Sequence, residues 1–188
     1  MTSQMSNTID LLLAESFKEI AVTKPIEKIT IKEITDRAGV IRPTFYNHFQ
    51  DKYELMEWII QTELISPMKP LLKEYKFQEA LNLPFDALLS NREYYNQASK
   101  LEGQNSFEDA LRMQISALIL ECLPEEKIRA KLPYSWLTPR RTADYFASVI
   151  TDAVLNWIRA GMDAPKEEFI DVFLNLCFHS IAELVTTL

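Results

Sequence analysis

Apolar positions recur along most of this chain at intervals of three and four, the spacing of one helix face, and strand-like alternation is scarce. Ile9, Leu12, Leu13, Ser16, Phe17 and Ile20 form the first stripe, predicting a helix over residues 7–22 that Pro25 closes. "TIKEITDRAG" then opens with a capping box, in which Thr30 accepts from the amide of Glu33 while Glu33 reaches back. Ile31, Ile34, Thr35 and Ala38 share the inner face of this second helix, and Gly39 suits the left-handed position past its end. A short third helix is expected over 42–49. Asp51 and Glu54 form a second capping box, opening a helix through Leu64 that Pro67 stops.

Beyond Pro67 the periodicity predicts helices over 77–89, 92–101, 107–122, 125–131, 139–162 and 166–186. Pro84 implies a kink or a break in the first of these, and Gly161 with Pro165 marks a stop and restart. In the last helix, Phe169, Ile170, Val172, Phe173, Leu174, Leu176, Cys177 and Phe178 leave little polar face. Such a helix is buried on both sides: against its own domain and, in a chain this size, against a second subunit. The expected fold is all-α. A three-helix helix-turn-helix domain spans 1–50, with the helix-turn-helix itself at about 30–49. A larger helical regulatory and dimerisation bundle spans 51–188.

Composition narrows the picture. A hydrophobic content of 47% supplies a core and excludes a disordered chain, while three glycines argue against many tight hairpins. No basic-then-apolar leader begins the sequence and no apolar run reaches the length of a membrane span, so a cytoplasmic protein is expected. Cys122 and Cys177 then read as small core residues in a reducing compartment. The formal charge of −7 speaks against nucleic acid until its distribution is counted. Residues 24–52 hold six Lys/Arg and four Asp/Glu, a balance of +2, and the remainder carries −9. A mildly basic head on an acidic body suits an anion-binding unit whose partner domain avoids phosphate.

At 100° per residue, Phe45 and Phe49 lie on one side of the third helix and anchor it. Pro43, Thr44 and Asn47 lie opposite, flanked by Tyr46 and His48: a short, polar, hydrogen-bonding face. Arg42 and Lys52 bracket it within reach of phosphates, and the first amides of the helix starting near Asp51 offer another contact, for which Asp51 itself competes. The alternative is a bundle whose polar face is merely solvated. No metal-ligand, nucleophile-elbow or phosphate-loop motif occurs, and Cys177 and His179 point about 200° apart on a helix. No enzyme and no cofactor are expected. For a small-molecule pocket the candidates mix aromatics with amides: Tyr94, Tyr95, Gln104, Asn105, Phe107, Met113, Gln114 and Trp157. Trp58, on the helix joining head to body, is placed to transmit binding. For each of these, core packing is the competing explanation.

"ITIKEITDRAGVIRPTFYNHFQDKYEL" resembles the DNA-binding domain of the TetR/AcrR family of bacterial transcription regulators. The resemblance rests on Thr30, Ala38-Gly39-Val40, Thr44, Tyr46, His48-Phe49, Lys52 and Leu55, and covers about residues 7–64. It implies an all-α homodimer on double-stranded operator DNA, repression as the default sign, and a variable C-terminal domain holding an effector pocket and the dimer interface. Thr44, Tyr46 and Lys52 resemble phosphate contacts, and Thr30 a backbone contact. Arg42, Pro43 and Asn47 occupy base-reading positions, and His48 resembles a boundary residue. Ile41 stands where the family usually has a polar N-cap, and Pro43 where glycine is frequent. The C-terminal half resembles, more weakly, the branch of dihydroxyacetone-kinase-operon regulators. That likeness implies a protein partner as an alternative to a small-molecule effector.

Overall fold

The computed structural model describes residues 2–122, 134–136 and 138–178. Ten helices account for most of them: α1 (Thr2–Ala21), α2 (Ile31–Ala38), α3 (Arg42–Tyr46), α4 (Lys52–Ile59), α5 (Met68–Lys73), α6 (Phe77–Ser90), α7 (Arg92–Ala98), α8 (Phe107–Cys122), α9 (Pro139–Arg159) and α10 (Lys166–Phe178). A 3-10 turn, Ile26–Lys28, links α1 to α2, and a π-helical turn, Ile60–Ile65, continues α4. Among the described residues there is no strand, and no helix long and apolar enough to cross a membrane. The segment expected as a helix at 125–131 and the side chains of Cys177 and His179 lie outside the described residues.

The head forms as its caps require. Thr30 accepts from the amide of Glu33 and Glu33 accepts from that of Thr30, closing the capping box of α2. Gly39 ends the helix at φ 70°, where a Cβ would be strained, and Val40 returns its amide to the Thr35 carbonyl at 3.0 Å. Asp51 caps α4 by accepting from Tyr53 and Glu54. The Glu54 carboxylate reaches past it to the amide of Gln50, so the second capping box closes one residue early. Leu13, Phe17, Ile34, Phe45 and Leu55 are fully buried and join α1–α4 into one core.

Three expectations change. The helix expected through Leu64 turns π-helical after Ile59, with the Ser66 amide bonded to the Gln61 carbonyl at 2.8 Å. Helix α6 runs through Pro84 without a break; the ring is buried in the wall of a cavity, where packing offsets the lost hydrogen bond. Cys122 is exposed at the end of α8 instead of forming core. In the body α8 packs along α9, α6 packs on α5 and the π-turn, and α10 lies on α6.

Candidate nucleic-acid interface and regulatory cavity

Helix α3 is short, yet its helical path persists: Asn47 donates to the Pro43 carbonyl at 3.1 Å and Phe49 to that of Phe45 at 2.9 Å. The 100° step therefore holds from 42 to 49. Phe45 is fully buried and its ring lies 5.9 Å from that of Phe49. Arg42, Pro43, Tyr46 and Asn47 are exposed, Thr44 is half-buried, and Thr30 is exposed at the start of α2. Ile41 caps α3 without any side-chain bond, and Pro43 stands in the first turn, where it needs no amide partner. Arg42 reaches Tyr46 only weakly, its Nη2 3.4 Å from the hydroxyl.

Two residues of this set face inward. His48 Nδ1 lies 2.6 Å from Asp10 Oδ1, both side chains 16% exposed, which fixes the end of α3 to α1. The Lys52 ammonium donates to the carbonyls of Ile26, Glu27 and Ile29 at 2.7–2.9 Å, clamping the α1–α2 connection onto the start of α4. Burial lowers its pKa. Other cations of the head are engaged as well: Lys24 with Glu33 at 2.6 Å, Lys32 with Asp36 at 2.5 Å, and Arg37 with Glu19 at 2.8 Å. Four of the six basic residues between positions 24 and 52 thus serve the fold. The charge excess of that segment overstates what is available to phosphate.

Head and body meet at a buried polar chain. Lys18 of α1, 6% exposed at its side chain, pairs with Glu15 at 2.8 Å and with Glu63 of the π-turn at 2.5 Å. Glu63 also accepts from the Tyr95 hydroxyl at 2.6 Å. Burial opposes the Lys18 charge, but its hydrogen bonds to Glu15 and Glu63 prevail and its pKa is raised. Burial, with the Glu63 charge beside it, holds the Tyr95 phenol well above its usual range.

The body contains a cavity of about 420 Å³, walled by α5, α6, α8, α9, α10 and the π-turn. Leu64, Ile65, Phe85, Leu111, Ile115 and Val154 are representative of its aliphatic and aromatic lining. None of the residues singled out from the sequence for a ligand site lines it. Tyr94, Tyr95 and Phe107 are fully buried at the head–body junction, with Tyr94 edge-on to Phe17. Trp58 is half-buried, edge-on to Phe49 at 6.0 Å. Gln114 donates to the Glu57 carbonyl at 2.8 Å, tying α8 to α4. Trp157 stacks on Phe169 and bonds to the Ala164 carbonyl, one layer behind the cavity wall. Gln104, Asn105 and Met113 are exposed. Tyr95, Gln114 and Trp157 each place a donor on a partner in core or junction, whereas the buried Tyr94 hydroxyl has none. The cavity is lined by aliphatic residues and phenylalanines, and in sequence such a lining reads as core.

Two family profiles match the chain: "Bacterial regulatory proteins, tetR family" over residues 17–59 and "Transcriptional regulator C-terminal region" over 76–179. A curated relative, the HTH-type dhaKLM operon transcriptional activator DhaS of Lactococcus lactis subsp. lactis (strain IL1403), is 24% identical over 155 residues, covering 82% of each chain. The solved structure of a dihydroxyacetone kinase operon activator DhaS superposes with a TM-score of 0.63 at 24% identity, over 89% of this chain and 93% of that one. NalD, the secondary repressor of the MexAB-OprM multidrug efflux pump in Pseudomonas aeruginosa, superposes with a TM-score of 0.57 at 17% identity, over 92% and 96%. At these identities the structures speak for the fold alone. With the N-terminal profile on the helix-turn-helix and the C-terminal profile over more than half its length, this chain belongs to the TetR family of DNA-binding transcription regulators.

Proposed function

We propose that the chain works as a homodimer on operator DNA, with residues 1–50 as the reading head and 51–188 as the effector and dimerisation body. The observation that carries this reading is the outward polar face of α3, held rigid from behind by Phe45, Phe49 and the His48–Asp10 pair. Thr30, Thr44 and Tyr46 meet phosphates; Arg42, Pro43 and Asn47 meet base edges in the major groove. His48 and Lys52 act as posts that hold this surface, His48 through its Nδ1 and Lys52 through its ammonium.

Pairing occurs through α9 and α10, placing two α3 helices about one DNA turn (~34 Å) apart. Support comes from Tyr145, Phe146 and Val149 on α9 and Val172 on α10, large apolar side chains 42–65% exposed in the single chain. Effector binding in the body changes that spacing through α4 and the π-turn. Repression is the sign adopted, since occluding a promoter needs only the head geometry; of the two relatives, DhaS is named an activator and NalD a repressor. A second reading, recruitment of a protein partner, is favoured by Tyr134 and Trp136, 68% and 69% exposed, with Arg141 stacked 4.8 Å over the Trp136 ring.

The test is a gel-shift titration on the promoter regions flanking the gene, with wild type and Arg42→Ala/Tyr46→Ala. A loss of affinity of tenfold or more at unchanged thermal stability is expected; equal affinity rejects the α3 surface. Light scattering at micromolar concentration is expected to give a dimer, and a monomer rejects the α9–α10 interface.

A further inference from the structure

The chemistry of the cavity is unusual for a ligand site. Pockets of this size are mostly apolar but normally carry a few convergent polar groups that orient a ligand. Here the lining is hydrocarbon apart from the thioether of Met68 and one thiol, Cys122, whose pKa burial pushes up so that it stays neutral. A carboxylate or phosphate placed inside would lose its water and meet no counter-charge, and a polyol would leave each hydroxyl without a partner. A dry apolar cavity of roughly 150 Å³ accepts benzene; at 420 Å³ this one holds about two to three such rings, or a chain of similar bulk. It reaches the surface where Phe77, Cys122 and Phe146 line it while remaining exposed. Interiors close-pack, and voids much larger than a water are rare unless something fills them.

We propose that the effector of this chain is an uncharged, predominantly hydrocarbon small molecule, one per subunit, seated between α6, α8 and α9 against the π-turn. The proposal rests on the reading of the body as the effector domain. Its recognition is by shape and desolvation, so it excludes trioses, sugar phosphates and fatty-acid anions. Leu64 and Ile65 of the π-turn touch the cavity while Glu63 of the same turn grips Lys18 of the head. Occupancy is thereby felt where head and body join.

The experiment uses the full chain and the uncharged fluorophore N-phenyl-1-naphthylamine. Saturable uptake of one dye per subunit is expected, displaced by decan-1-ol but not by dihydroxyacetone or octanoate at hundredfold higher concentration. Val154→Phe and Ile119→Trp, which fill the cavity, are expected to weaken uptake at least tenfold with the helical circular dichroism retained. In a Cys177→Ser background, decan-1-ol is expected to slow N-ethylmaleimide labelling of Cys122 severalfold, a readout that requires no cavity variant. Absence of saturable uptake, displacement by the polar or anionic competitors, or uptake that vanishes as subunits pair would each overturn the ligand class. Gel shifts with and without decan-1-ol separate the two readings. A chain that takes up the dye but binds no flanking DNA in either state refutes the regulator function and leaves the ligand class standing.

Discussion

The head and the body solve opposite problems with polar atoms. In the head the cationic groups of Lys24, Lys32, Arg37 and Lys52 and the ring of His48 are all engaged within residues 10–52. What is left to project is a small set on α3. In the body the space at the centre has almost no polar atom on its walls. A surface that must match a fixed lattice of phosphates and base edges has to be held stiffly, and interlocked ion pairs and caps do this. A space that must accept a molecule by shape is better left without groups demanding partners. The contrast teaches that net charge is a poor guide to the reading surface, because most of the head's cations are structural.

The largest effects are expected where this contrast is broken from within. Phe45→Ala removes the fully buried anchor of α3 and is expected to cost about 3–5 kcal/mol. Val154→Phe, a change of similar bulk in the body, adds atoms to space already open and is expected to cost under about 1 kcal/mol. Urea unfolding of the two variants measures the difference, and equal losses would erase the distinction between a packed head and an open body.

Next in size is the seam. Lys18→Met leaves Glu63 facing the Tyr95 hydroxyl without a counter-charge. A loss of about 2–3 kcal/mol is expected, below the ~3–5 kcal/mol of a fully buried pair because Glu63 remains 21% exposed. The pair also has a pH signature. The Lys18 pKa is raised on folding, so its contribution is complete below 10.5 and is lost as pH rises through the folded value. Thermal melts of wild type and Lys18→Met across the alkaline range are expected to converge; parallel curves would remove the ion pair from the account.

Smaller, and confined to binding, is Arg42→Ala. A loss of about 1–3 kcal/mol of operator affinity is expected if the guanidinium reads a base edge, with the salt slope nearly unchanged. If it meets a phosphate instead, the slope falls by roughly 0.9. The smallest effect belongs to Glu33, whose carboxylate the Lys24 ammonium and then the Thr30 amide and hydroxyl hold at about 2. Its contribution is complete above pH 4.5 and is lost as pH falls toward 2. Glu33→Gln is therefore expected to flatten the acid limb of the stability curve slightly, as followed by circular dichroism from pH 5 to 2.

The same contrast explains what could be read from the residues alone. Caps and turns are local, so the Thr30–Glu33 box, Gly39 and the Phe45/Phe49 anchors of α3 were legible with their spacing. Helices α2, α3, α8 and α9 followed from periodicity, each to within a few residues. The partners of His48 and Lys52 were not legible, since Asp10 and the carbonyls at 26–29 are brought to them only by the folded head. The π-turn was equally silent, because an extra residue in one turn leaves the apolar pattern nearly intact. In the body, Tyr94, Tyr95 and Trp157 advertised a pocket and proved to be core and junction. The leucines and isoleucines that wall the cavity carry no mark separating a lined space from a filled one.

The aromatic rings carry one more consequence. Trp58 leans on Phe49 where head meets body, and Trp157 is edge-on, 5.3 Å away, to Phe85 in the cavity wall. Two of the three tryptophans thus stand as indole lamps at the two ends of the proposed signal, one beside the pouch and the other beside the DNA reader. Exciting them in Trp58→Phe and Trp157→Phe backgrounds, each also carrying Trp136→Phe, lets arrival and response be clocked separately, without any added label.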